Sequence, residues 1–191
     1  MKRILLVAFV CLTFFAADAV VASDQGDVSA AVKTILNSIR YGRHDNAMTL
    51  VDVEAVCRTL MGSYWAKMTP AEKDELKTNV DILIRKLSFP EGEKLFQHLD
   101  AVLYGKPVIK GNKARCKATI VVHRDYKKQE TAIDFELSKN SGRWKVVEMY
   151  ILGEGIFAGI YEDEISPVLK KGGIPAVLNA IRKRVAEVSR Y

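Results

Sequence analysis

The residues that could do chemistry are few and scattered. His44, His98 and His123 are far apart in the chain, and none has a second ligand-type residue at metal spacing. No G-x-S-x-G elbow is present, and neither Cys57 nor Cys116 carries the local signature of a nucleophile. Acidic residues are plentiful but fall on polar faces. Glu148 is the exception, because it interrupts an apolar strand between Val146 and Tyr150. It is either a buried base in a cone-shaped pocket or a group that faces solvent or pairs with a lysine, and the second is the expectation. Gly153-Glu154-Gly155-Ile156-Phe157-Ala158 matches the dinucleotide fingerprint, following a strand and opening a helix. A dinucleotide site also needs a parallel sheet and a second strand with an acid about twenty residues on. Only helical pattern follows here, and Glu154 would oppose a pyrophosphate. The motif therefore predicts a tight strand-to-helix turn.

What remains is apolar material. Ile120, Val122, Ile133, Phe135, Val147, Met149 and Ile151 can clothe one face of a sheet. Ile156, Phe157, Ile160, Tyr161, Ile165 and Leu169 form a helical stripe that can lie against it. Periodicity makes these core residues. It does not say whether the space between the two layers is filled or hollow.

The elements that would position them follow an α+β order. Val28, Ala31, Val32, Ile35, Leu36 and Ile39 recur at helical spacing, ended by Tyr41-Gly42. Asp52 is an N-cap for a second helix with Val53, Val56, Leu60 and Met61 inward, closed by Gly62. Thr69-Pro70-Ala71-Glu72 reads as a capping box with proline at the first helical position. The helix it opens buries Leu76, Val80, Leu83 and Leu87, and Phe89-Pro90 is expected to break it. From Leu99 the pattern turns to strand. Ala101 to Ile109 is extended with a kink at Gly105-Lys106-Pro107, and Ala114 to His123 follows a Gly111-Asn112 turn. Thr131, Ile133, Phe135 and Leu137 alternate with polar neighbours, and Arg143 to Leu152 is the last long strand. Hairpin-length connections make the sheet antiparallel. Phe157 to Lys170, a Gly172-Gly173 stop, and Pro175 to about Val188 return to helix.

The N-terminus sets the expected compartment. Lys2 and Arg3 precede an apolar run from Ile4 to Phe15, the length of a secretory signal and too short to span a bilayer. Ala17-Asp18-Ala19 and Val20-Val21-Ala22 both fit a cleavage site, and the second, preferred, leaves residues 23–191 as one domain of about 169 residues. The chain carries +6, and cleavage removes Lys2, Arg3 and Asp18 to leave +5. In an exported protein that charge suits anionic headgroups, an acidic partner surface or simple solubility, and nucleic acid is not expected. Cys57 and Cys116 survive cleavage. In an oxidising compartment they form a disulfide or remain two buried thiols, and the sequence leaves both open.

Two stretches carry a family resemblance. One is Trp144-Lys145-Val146-Val147-Glu148, then Gly153, Tyr161, Ile165, Gly172 or Gly173, and Val177-Leu178 with Ile181. The other is Leu60-Met61-Gly62-Ser63-Tyr64-Trp65 followed by the Thr69 capping box, with Tyr104-Gly105-Lys106-Pro107-Val108 at the entry to the sheet. Together they resemble the MlaC or toluene-tolerance family of periplasmic phospholipid-binding proteins of Gram-negative bacteria. The chain departs from that pattern where the family serine is Gly155, where the Asn-Tyr-Arg run reads Ile160-Tyr161-Glu162, and by one extra residue between Trp144 and Tyr161.

The resemblance implies N-terminal helices, a twisted antiparallel sheet and C-terminal helices in an NTF2-like cone. It implies acyl chains between sheet and helices, phospholipid as cargo, and no cofactor or catalysis. It also implies a periplasmic monomer served by an outer-membrane lipoprotein complex and by an inner-membrane ABC transporter with a substrate-binding ring. By charge and position, Lys170, Lys171 or Arg182 near the mouth would face a phosphate. Two other readings compete with this carrier. One is a small-molecule enzyme with Glu148 or Asp134 as base, and the other is an adaptor whose core is filled.

Overall fold

The computed structural model describes residues 23–124 and 127–190. The expected signal segment 1–22 lies outside them. Helix α1 covers residues 23–40. Its apolar stripe from Val28 to Ile39 is buried, as the spacing predicts. Lys139 holds its first turn to the sheet by donating to Asp24 at 2.5 Å, which keeps that carboxyl below its usual range. After α2 (His44–Met48), α3 (Val53–Met61) begins at Asp52, whose side chain accepts the Ala55 N–H at 3.0 Å. A 3-10 turn (Gly62–Lys67) leads to α4 (Pro70–Leu83), where Thr69 and Glu72 form the full capping box.

Phe89-Pro90 does not break α4. The helix runs through a π turn (Ile84–Ser88) into α5 (Phe89–Lys94), and the Phe89 N–H bonds the Ile84 carbonyl five residues back. Proline lacks an N–H and its ring crowds the carbonyl four residues before it. For Pro90 that carbonyl belongs to Lys86, inside the π turn. The extra residue in the turn absorbs the misfit without ending the helix.

The sheet comprises β1 (Leu99–Tyr104), β2 (Val108–Lys110), β3 (Lys113–Arg124), β4 (Lys127–Asn140), β5 (Arg143–Ile151) and β6 (Glu154–Gly155). The order is β1-β3-β4-β5-β6, all antiparallel, with β2 also on β3. The edge of β5 is covered near Val146 by the Leu50–Asp52 segment, with Val146 N–H to Leu50 at 2.8 Å and Asp52 N–H to Val146 at 2.9 Å.

A bulge in β5 shifts its faces. Glu136 pairs with Glu148, but Leu137 pairs with Val146, which leaves Val147 as the extra residue. Paired residues share a face. Trp144 and Val146 therefore join the core, and after the bulge Met149 and Ile151 join Phe135 and Ile133. Val147 is half-buried and, among the described residues, stands outside the apolar cluster, contrary to the simple alternation expected for it.

The chain then forms α6 (Ile156–Ile160), a second π turn (Tyr161–Ile165) and α7 (Ser166–Val188), kinked at Gly173 with φ 65°. The second π turn repeats the device of the first. The Ser166 N–H bonds the Tyr161 carbonyl, and Pro167 follows, four residues after Asp163. Helices α3 and α6 contact β5, while α4 packs on α3 and α7. Cys57 and Cys116 are two free buried thiols, and burial pushes the Cys57 thiol up to about 12. Among the described residues no helix is long and apolar enough to cross a membrane.

Candidate binding cleft

The largely apolar opening lies one layer out from the sheet, between helices. It is a cleft of about 460 Å³ with Leu60 of α3 and Phe157 and Ile160 of α6 on one side. Val80, Leu83, Ile84 and Leu87 line it from α4 and the first π turn. Ile165, Val168, Val177, Ala180 and Ile181 line it from the second π turn and α7. Three polar residues, Ser88, Glu164 and Arg184, complete the lining, and all three are exposed, which places them at the rim. Both π turns border this cleft. Each adds one residue to its helical turn where the helix borders the opening.

The expected site residues divide among three places. Phe157, Ile160 and Ile165 line the cleft. Ile151, Ile156 and again Ile160 border a shallower hollow of about 470 Å³ beside the β5–β6 turn. Ile120, Ile133 and Phe135 are 2%, 5% and 1% exposed, and Leu169 is equally buried. These four belong to the buried apolar cluster and border neither the cleft nor the hollow. Val122, Met149 and Tyr161 are half-buried against that core. The other apolar lining residues, from Leu60 and Val80 to Ala180 and Ile181, were not singled out as lining from the sequence, although Leu60, Val80, Leu83 and Leu87 stood on recognised helical stripes.

The charged residues also redistribute. Arg182 donates to Glu75 at 2.5 Å, tying α7 to α4, while Lys170 and Lys171 are exposed. The cation in the cleft lining is Arg184, which also reaches Glu187 at 3.2 Å.

Glu148 neither faces solvent nor meets a lysine. It is 6% exposed, and its carboxylate accepts three backbone N–H groups: Met149 at 2.9 Å, Phe157 at 3.0 Å and Ala158 at 2.9 Å. It thus satisfies two of the orphan donors at the start of α6. The turn packs closely here: a Cβ on Gly155 would sit 3.4 Å from the Glu148 carboxyl carbon, an ordinary contact, and 3.3 Å from Tyr150 and Ala158, which would have to give slightly. The Gly-x-Gly sequence is a tight strand-to-helix turn serving a carboxylate of the chain itself. Asp134 is paired with Tyr150 in the sheet. The histidines are dispersed: His44 meets Glu93 at 2.5 Å and His123 meets Asp100 at 3.6 Å. Among the described residues no three His, Cys, Asp or Glu side chains gather as metal ligands would.

The two stretches that carried the resemblance touch. Gly62 closes α3 at φ 52°, and the Tyr161 ring lies directly over it. Comparison with known proteins agrees. A phospholipid-binding protein from Ralstonia solanacearum, solved in complex with a phospholipid, superposes with a TM-score of 0.68 at 18% identity, covering 86% of this chain and 98% of that one. A protein bearing the NTF2 name gives 0.41 at 10% identity over 66% and 97% of the two chains. A protein of unknown function from Mycobacterium tuberculosis gives 0.35 at 9% identity over 89% and 94%. The last two scores are too low to show a shared fold. No curated protein matches the sequence. The MlaC protein family matches residues 36–183, a span that takes in both stretches meeting at Gly62 and Tyr161, and the chain therefore belongs to the MlaC family.

Proposed function

We propose that this chain is a periplasmic lipid carrier that holds a phospholipid acyl chain in the cleft between α4 and α7. In this reading it shuttles cargo as a monomer between an outer-membrane lipoprotein complex and the substrate-binding ring of an inner-membrane ABC transporter. The observation that carries the reading is the cleft lining, apolar along both helical walls and polar only at three exposed rim positions. Family membership and the phospholipid held by the Ralstonia protein support it.

The physical demand on such a carrier is simple. Each methylene removed from water is worth about 0.8 kcal/mol, so free lipid does not cross an aqueous compartment at useful rates. Apolar tails need no directional contacts, and a largely preformed apolar cleft meets the demand. If a methylene takes roughly the 30 Å³ share of a liquid water, the cleft holds one long acyl chain. A second tail requires α4 and α7 to part, and the π turns are where those walls can yield. Of the sheet residues, Ile120, Ile133 and Phe135 border neither opening, which favours the helical layer as the place for the tails. Catalysis by Glu148 finds no support, since three backbone donors already occupy its carboxylate.

The test is displacement of a fluorescent fatty acid from delipidated protein by phospholipid. Ala180→Trp, which fills the cleft from an exposed position, abolishes probe binding while leaving the fold intact. Unchanged binding in that variant moves the cargo elsewhere.

A further inference from the structure

We infer that the hollow beside the β5–β6 turn is a docking surface for a basic protein segment that carries an apolar anchor side chain. The hollow measures about 470 Å³, and Ile151, Ile156 and Ile160 give it apolar walls. Gly159 leaves its floor bare, because a Cβ there would meet nothing within 4 Å. Leu152 stands beside it 90% exposed, a large apolar side chain held into solvent at φ 55°.

The rim has one sign. Glu154, Asp163 and Glu164 border the hollow, and Glu162 is exposed next to them. Among the described residues none of the four is ion-paired, whereas ten carboxylates elsewhere are tied to lysines or arginines. The whole chain is cationic at +6, so this face reverses the local field. Four unpaired carboxylates attract and orient a cationic segment and repel an anionic lipid surface. An apolar pocket at the centre of a charged ring is where an anchor side chain gains most from desolvation. A basic segment with one buried apolar residue satisfies both features.

The placement also couples docking to the cleft. Ile160 and Glu164 border the hollow and the cleft alike, so the end of α6 and the second π turn form the wall between them. A segment seated in the hollow presses on the residues that line the cargo space. The docking itself is independent of the cargo reading, and only this coupling rests on it.

The experiment uses two synthetic peptides of equal positive charge, one of lysine alone and one of lysine with leucine, titrated into isotope-labelled protein. The lysine–leucine peptide binds roughly tenfold more tightly than oligolysine. Its amide shifts centre on Leu152, Ile156, Gly159 and Glu164. The double variant Glu162→Lys with Asp163→Lys weakens both peptides by roughly tenfold or more. Gly159→Leu, whose Cβ enters open space, brings the lysine–leucine peptide down to the affinity of oligolysine. Equal affinity for the two peptides overturns the proposal, as does indifference to Gly159→Leu. Anionic phosphatidylglycerol vesicles that shift the same amides also overturn it, in favour of a membrane surface. Lipid content measured on the same preparations separates the two readings. Peptide binding without recovered lipid upholds the docking surface and sinks the carrier.

Discussion

The ring of Tyr161 lies over Gly62 so closely that a Cβ at that glycine would sit 3.0 Å from the phenol oxygen. The contact joins the end of α3 to the first residue of the π turn that borders the cleft. Gly62 also holds φ 52° and ψ −132°, a conformation closed to residues with a side chain. Gly62→Ala is expected to destabilise the protein by about 1–3 kcal/mol from backbone strain alone, before the ring is displaced. Urea unfolding measures the loss. Tyr161→Phe in the same background recovers little of it, since the ring carbons crowd the site as well.

Glu148 makes a second prediction. Its truncation to alanine leaves the Phe157 and Ala158 N–H groups without an acceptor inside the structure. The cost is about 2–4 kcal/mol by chemical denaturation. Glu148→Gln keeps one acceptor oxygen and costs less. Hydrogen exchange reads the local part directly, with protection lost at Phe157 and Ala158 before it is lost on β4.

Pro167 follows the π turn that borders the cleft, four residues after Asp163. Pro167→Ala restores an N–H and removes the ring that crowds the Asp163 carbonyl, so the turn can rewind as α-helix. Stability changes by less than about 1 kcal/mol at this exposed position. Lipid recovered with the purified variant falls. If the turn had no part in shaping the cleft, recovery would match the parent.

Cys57 gives a pH dependence with a definite sign. Its thiol ionises near 9.0 when unfolded and is pushed up to about 12 by burial in the fold. The neutral thiol is favoured in the folded state, so its contribution is fully present below pH 9 and is lost as pH rises toward 12. At pH 10 the loss is about 1.4 kcal/mol, one pH unit above the unfolded value. Cys57→Ala flattens that alkaline slope in a series of urea midpoints.

Much of the fold was legible because the local signals agreed. The stripe from Val28 to Ile39 and the Thr69 capping box appear where their spacing places them, and so does the alternation from Ile133 to Leu137. The bulge was not legible. One unpaired residue, Val147, reverses the face of everything before it in β5, and an apolar valine at that position is what plain alternation also expects. Glu148 was misplaced for a related reason, because its partners are backbone donors that leave no trace in residue type. The prolines at 90 and 167 were visible, but the pattern does not say whether a proline ends a helix or widens it. Where the open space lies was the least accessible feature. Periodicity marks a face as apolar and is silent on whether a neighbour fills it, so Phe135 and Leu83 look alike in sequence.

Mass spectrometry of an organic extract tests the central claim most directly. The protein is purified under native conditions from the periplasm of cells with an intact envelope, and its lipid content is set against protein concentration. A carrier yields phospholipid at close to one molecule per chain, and Ala180→Trp, with its cleft blocked, yields little. Repeated preparations that contain no lipid, from protein that is folded and binds no fatty-acid probe, would contradict the account.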